Sequence, residues 1–224
     1  MKSLEKIHSS GIFMLAFEKQ YDLCMHFLRV QEFYESPKFR FKRFALVEYM
    51  EWYSKEYGEG SFTYPSDWLG FNVPSDAIKE LYMPKREKID KIKDFNKYDK
   101  FILGVDSFIQ SIFGDKYYLI GHVDGDEQTL QHEFAHGLYY TDKEYKKQQD
   151  ENLSSLNRDF IETIKKTLGE IGYHESVHDD ECQAFLSTGI SDDMREEWTK
   201  KWNVVFVLEQ CKPFSETFKL HRKS

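Results

Sequence analysis

Residues 132–136 read HEFAH, and the spacing of His132, Glu133 and His136 has a specific chemical reading. On an α-helix, side chains four apart leave the same face, so both imidazoles reach one metal ion. Glu133 lies about 100° further round the helix, close enough to take a proton from a metal-bound water. Leu130, Phe134 and Leu138 fall roughly opposite the histidines and are expected to bury. The helix then packs through one side and presents ligands on the other. The competing reading is a solvated helix whose His and Glu do no chemistry. The motif's place on an amphipathic pattern, after a strand and a turn, weighs against it.

A catalytic zinc takes three protein ligands and keeps one position for water. Two regions offer the third ligand. Asp142 stands six residues past His136, where HExxHxxGxxH patterns place theirs, but Tyr139 replaces the glycine that lets such chains turn. A helix continuing through 139 points Asp142 away. The segment 171–189, IGYHESVHDDECQAFLSTG, offers His174, His178, Asp179, Asp180 and Glu181. Glu181 opens a short helical pattern through Ala184, Phe185 and Leu186, and it and His178 are both candidate ligands. Asp179 or Asp180 would cap that helix or accept a hydrogen bond from a ligand imidazole. Cys182, one position on, reads as a buried free thiol rather than a nucleophile.

HEFAHGLYY followed by DECQAFLSTG resembles the two-part metal site of gluzincin-type zinc metallopeptidases, over about residues 116–190. The resemblance implies a zincin-like fold with Zn²⁺ held by His132, His136 and Glu181. It implies Glu133 as the general base that later passes its proton to the leaving amine, and a peptide or protein substrate. The chain departs from the family in that the stretch before residue 116 matches no family subdomain. Acyl hydrolysis also needs a donor for the developing oxyanion. Tyr140, with Tyr139 beside it, follows the second histidine on the metal-facing side and is the first candidate. Tyr173, His174 and His178 are candidates from a loop. The alternative reading is a non-catalytic or regulatory metal-containing binding module on the same fold. A His₂–carboxylate set also suits iron(II), and Glu133 is what tilts the choice toward zinc and hydrolysis.

The elements that must hold these groups are read from periodicity and breakers, and they give an α+β, mainly helical class. A small β-sheet containing the β-branched and aromatic run Lys116–Val123 lies beside the HExxH helix. An edge strand there would bind extended peptide by strand addition. Residues 1–35 mix strand and helix. Ser36-Pro37 opens a helix carrying Phe41, Phe44, Ala45, Val47, Met50 and Tyr53, which stops near Gly58. Residues 61–75 form an aromatic loop in which Tyr64, Trp68 and Phe71 pack over the core, with cleft lining as the alternative. A helix follows from Ser75-Asp76. The HExxH helix starts near Glu127 and runs past Lys147. Further helices are expected over 153–168, 179–187 and 191–202, and 203–208 extends the last one or forms a strand. The whole is one compact domain over 1–224. It has an N-terminal helical and aromatic-loop part (1–100), a metal-site part (101–190) and a C-terminal helical extension (191–224).

Composition excludes several classes. With 31 Lys+Arg against 39 Asp+Glu, the net charge is 31 − 39 = −8, the wrong sign for a general nucleic-acid binder. The run 85–93, KREKIDKIK, is mixed in sign and reads as a solvated helix face. No run approaches the roughly 18 apolar residues of a membrane span. Three cysteines without CxxC spacing argue against a disulfide framework, and with no signal-like N-terminus the expected compartment is the cytoplasm. No staple is needed at this length, so a bound metal is expected to serve chemistry. Oligomeric state is left open.

Overall fold

The computed structural model describes residues 1–82, 94–171, 173–190 and 192–223. Its sheet follows from alternation. In β2 (Ile12–Phe17) and β4 (Tyr118–Val123), every second side chain leaves the same face. Phe13, Leu15, Phe17 and Leu119 enter one core, while Ile12, Met14, Tyr118 and Ile120 enter another. Strands covered on both faces read as near-continuous apolar runs, and these two do. They pair in parallel, with Ile12 opposite Tyr118. β1 (Ser3–His8) flanks β2 and β3 (Phe71–Pro74) flanks β4, both antiparallel, in the order β1-β2-β4-β3.

Helices cover both faces. On the first, α1 (Gln20–Glu35) packs against β3 and β4, and α5 (Lys97–Ile112) packs against α1. Gly121 lets α1 come close, because a Cβ there would stand 2.5 Å from the Phe27 ring. On the second face, α6 (Glu127–Thr141) lies on β4, and α9 (His178–Thr188) lies on α6. α7 (Lys143–Ser155), α8 (Arg158–Glu170), α10 (Asp192–Lys201) and α11 (Val204–His221) build a separate helical core with α9 around Phe160, Trp198 and Phe214. The architecture is therefore mainly helical α+β with one small mixed sheet. Among the described residues, no helix is long and apolar enough to cross a membrane.

Several expectations change. The helix expected from Pro37 begins only at Leu46, as α2 (Leu46–Glu56). Ser36 instead ends α1, and its Oγ accepts from Phe39 N at 3.2 Å, closing a local turn. Leu46 N is capped at 2.6 Å by Asp94 from a distant segment, a contact that no local pattern carries. The aromatic loop contains a short helix, α3 (Tyr64–Asp67), and strand β3, followed by α4 (Ser75–Tyr82). The HExxH helix stops at Asp142, which ends α6 and caps α7 through bonds from Glu144 N and Tyr145 N. Residues 153–168 divide between α7 and α8, and 204–208 belong to helix α11, which Asn203 caps. β4 lies inside the sheet rather than at its edge. The neighbouring edge, β3, already gives Asn72 N–H to Gln31 Oε1. The run 85–93 lies outside the described residues.

Candidate metal centre

Two helices bring the ligands together. α6 is started by Asp126, whose carboxylate accepts from Thr129 N and Oγ1 at 3.1 and 2.7 Å. Phe134 and Leu138 bury against the sheet, which rotates His132 and His136 toward α9. A 3₁₀ turn (Glu175–Val177) leads the chain into α9, and Glu181 follows in its first turn.

Three donor atoms converge there. His132 Nε2 and His136 Nε2 are 3.2 Å apart, and Glu181 Oε2 lies 3.7 and 3.6 Å from them. A tetrahedral zinc with ligand bonds near 2.05 Å separates its donors by about 3.3 Å, so the spacing fits. Glu181 Oε2 is buried and has no hydrogen-bond partner, the condition of a ligand atom awaiting a cation. Behind the ring, Asp180 Oδ1 accepts from His136 Nδ1 at 2.8 Å, which fixes the tautomer that leaves Nε2 facing inward. Burial opposes a proton on His136, yet Asp180 and Glu181 outweigh it and hold the ring well above the usual histidine range. The environment thus favours positive charge at this point.

Glu133 is buried beside the ligands. Burial raises its carboxyl above the ordinary range, while His132, His136 and the Asn72 amide pull it back. Its position is set from β3. Asn72 Nδ2 donates to Glu133 Oε2 at 2.6 Å, and Asn72 Oδ1 accepts from the Tyr118 hydroxyl. Gly70 leaves room on the other side, since a Cβ there would collide with Glu133 Oε1. The chain of bonds continues through Asn72 N–H to Gln31 Oε1, and from Gln31 Nε2 to Glu35 Oε2 at 2.6 Å. Burial first, and then the charge of Glu181, raise Glu35 well above the carboxylate range.

The other candidates sit elsewhere. Tyr140 donates its hydroxyl to Asp76 of α4 at 2.9 Å, and Tyr139 donates to Asp150 of α7. The helical wheel put both on the metal-facing side, but each lies beyond the second histidine, where neighbouring helices take its hydroxyl. Asp142 accepts from His221 Nδ1 at 2.8 Å besides capping α7. His178 Nε2 bonds Tyr173 O, and His174 Nδ1 bonds Ser176. Burial, then the charges of Glu181, Glu35 and Glu133, raise the Tyr173 hydroxyl well above the usual tyrosine range, and burial, then Asp150, Asp180 and Asp179, raise that of Tyr139 as well. Cys182 is fully buried and burial pushes its thiol up, as expected of an inert thiol.

Sequence reasoning passed over Asn72, Gly70, Gln31 and Glu35. The one local signal was a lone polar residue, Asn72, between Phe71 and Val73 in an apolar strand. No protein-family model matches the chain, and neither a curated protein nor a solved structure does.

Proposed function

We propose that the chain is a zinc-dependent hydrolase, a metallopeptidase of zincin-like build, acting on peptide or protein. The observation that carries this reading is the convergence of His132, His136 and Glu181, with Asp180 behind His136 and a buried Glu133 alongside. A zinc ion held by those three residues supplies a Lewis acid and a water of lowered pKa. Glu133 takes the proton of the attacking water on its carboxylate and delivers it to the leaving nitrogen. Asn72 keeps that carboxylate in one orientation, and Tyr173 offers an O–H to the developing oxyanion. A reducing compartment such as the cytoplasm suits the three free cysteines.

Elemental analysis of the purified wild type beside His132→Ala tests the site, with one zinc per wild-type chain and none in the variant as the expected result. Glu133→Gln tests the chemistry: it should keep the zinc and lose hydrolysis of a peptide library. Retained hydrolysis in that variant removes Glu133 from the mechanism. A wild type that binds zinc yet cleaves nothing points to the non-catalytic binding module instead.

A further inference from the structure

Beside Glu35 lies a cavity of about 310 Å³. Its walls are aromatic, among them Trp52, Tyr57, Trp68 and Tyr173, and three carboxyls, Glu32, Glu35 and Asp67, also line it. Among the described residues that line it there is no lysine, arginine or histidine. Two of the carboxyls are engaged, Glu32 by the Tyr64 hydroxyl and Asp67 by those of Tyr53 and Thr63. Glu35 is bonded by Gln31 through one oxygen, as Asp67 is engaged through one oxygen only.

Ring faces are negative and attract cations. The Trp52 ring already takes one cation, since Lys38 Nζ, which is not among the lining residues, stands 5.2 Å from its centroid. A void lined by such rings and three carboxyls, with no lysine, arginine or histidine in its lining, suits a positive group on an apolar stem, whose charge would favour the ionised form of those carboxyls. The volume is at the lower end of ligand sites and suits one long side chain rather than a folded ligand.

The cavity is joined to the metal centre. The bonds Glu133–Asn72–Gln31–Glu35 run from the base to its rim. Tyr173 lines the cavity, edge-on to Trp68 with centroids 6.2 Å apart, and its hydroxyl is raised by the charges of Glu181 and Glu133. We propose that this cavity is a specificity subsite for a lysine or arginine side chain of the peptide whose neighbouring amide is held at the metal centre. The inference rests on the metallopeptidase reading above, deepening it to a substrate class.

Two measurements on the full chain separate this inference from that reading. The first is calorimetric binding to zinc-loaded Glu133→Gln protein, using N-acetyl-arginine methylamide and N-acetyl-norleucine methylamide as probes. The arginine compound is expected to bind at least about tenfold more tightly. Adding Glu35→Gln should remove the difference, and adding Tyr57→Leu, at an exposed ring, should reduce it. Equal binding of the two probes overturns the subsite whatever the protein cleaves. The second is cleavage by wild type of peptides that differ at one position, arginine or lysine against norleucine or glutamate. A kcat/KM at least about tenfold higher for the basic peptides, carried mainly in KM, supports the subsite. Cleavage without that preference overturns it and leaves the peptidase intact. A binding preference with no cleavage of any peptide supports the cation site and overturns the peptidase reading.

Discussion

Asp180 Oδ1 stands 2.8 Å from His136 Nδ1, one residue before the carboxylate that completes the ligand set. On the metal-centre reading, a single helical turn supplies both a candidate ligand and the group that orients another. Asp180→Ala should weaken zinc binding by about 10–100-fold while the helical circular-dichroism signal persists. Competition against a fluorescent chelator measures this. An unchanged affinity would remove Asp180 from the site.

Gly70 allows the Glu133 carboxylate to lie against the backbone before β3. In Gly70→Ala the new methyl would collide with Glu133 Oε1 and stand 2.5 Å from Thr129 Cγ2, so the carboxylate must move. Zinc content should stay at wild-type level and turnover should fall by about 100-fold, the usual cost of a misplacement near 1 Å. Loss of zinc as well would mean that the base and the ligands are not positioned independently.

Two tyrosines make opposite predictions. The Tyr140 hydroxyl belongs to Asp76, so Tyr140→Phe should leave kcat within about twofold of wild type, since it removes one hydrogen bond away from the reacting atoms. Tyr173→Phe should lower kcat by about 100-fold or more with KM little changed, as for loss of one oxyanion donor. Steady-state kinetics on one peptide decide it, and the reverse ranking would restore the first expectation for Tyr140.

Glu32 makes stability depend on pH. Burial raises its carboxyl from 4.5 to about 7, although the hydroxyls of Tyr64, Tyr49 and Ser36 oppose the shift. The folded state therefore holds the proton more tightly than the unfolded chain. Folding stability falls as pH rises from about 4.5 to 7 and stays lowered above that. Glu32→Gln removes the dependence. It should stabilise the protein at pH 8 by up to about 3 kcal/mol and make little difference near pH 4. Urea melts at both pH values provide the comparison, and an equal effect at each would refute the assignment.

Arg29 is buried with Asp99 and also reaches Asp94, each at 2.8 Å. Asp99 further accepts from Tyr82 and Asn96 N, and Asp94 caps α2. Arg29→Met leaves a buried carboxylate without its cation, which costs about 3–5 kcal/mol. Adding Asp99→Asn should recover part of that loss in the same unfolding assay.

The features visible in the sequence were those carried by short-range pattern. His132, Glu133 and His136 declare themselves because a helix converts i, i+1, i+4 into a shared site. Glu181 came from the resemblance to the gluzincin metal site, which places a glutamate on a later helix. β4 was legible from its aromatic and β-branched run. β3 was not, because four residues that include Asn72 and Pro74 become a strand only by pairing with β4. The break at Asp142 was marked by an aspartate able to cap α7, but the apolar pattern on either side masked it. Asn72, Gln31 and Glu35 escaped notice because their roles depend on contacts across 41 and 61 positions of chain, and the bond between Gln31 and Glu35 resembles any surface pair.

The parallel ladder between β2 and β4 has a consequence for biosynthesis. Ile12 meets Tyr118, so the hairpin of β1 and β2 leaves the ribosome with one apolar edge open and waits for most of a hundred residues before its partner arrives. Closing so long a loop costs entropy before any strand contact offsets it, and an open edge is where nascent chains aggregate. The strand that ends the wait is followed at once by the HExxH helix. The stretch that carries the proposed metal centre is therefore also the one that commits the first hundred residues to their fold, and a lesion near residue 118 should be felt first as lost yield in the cell.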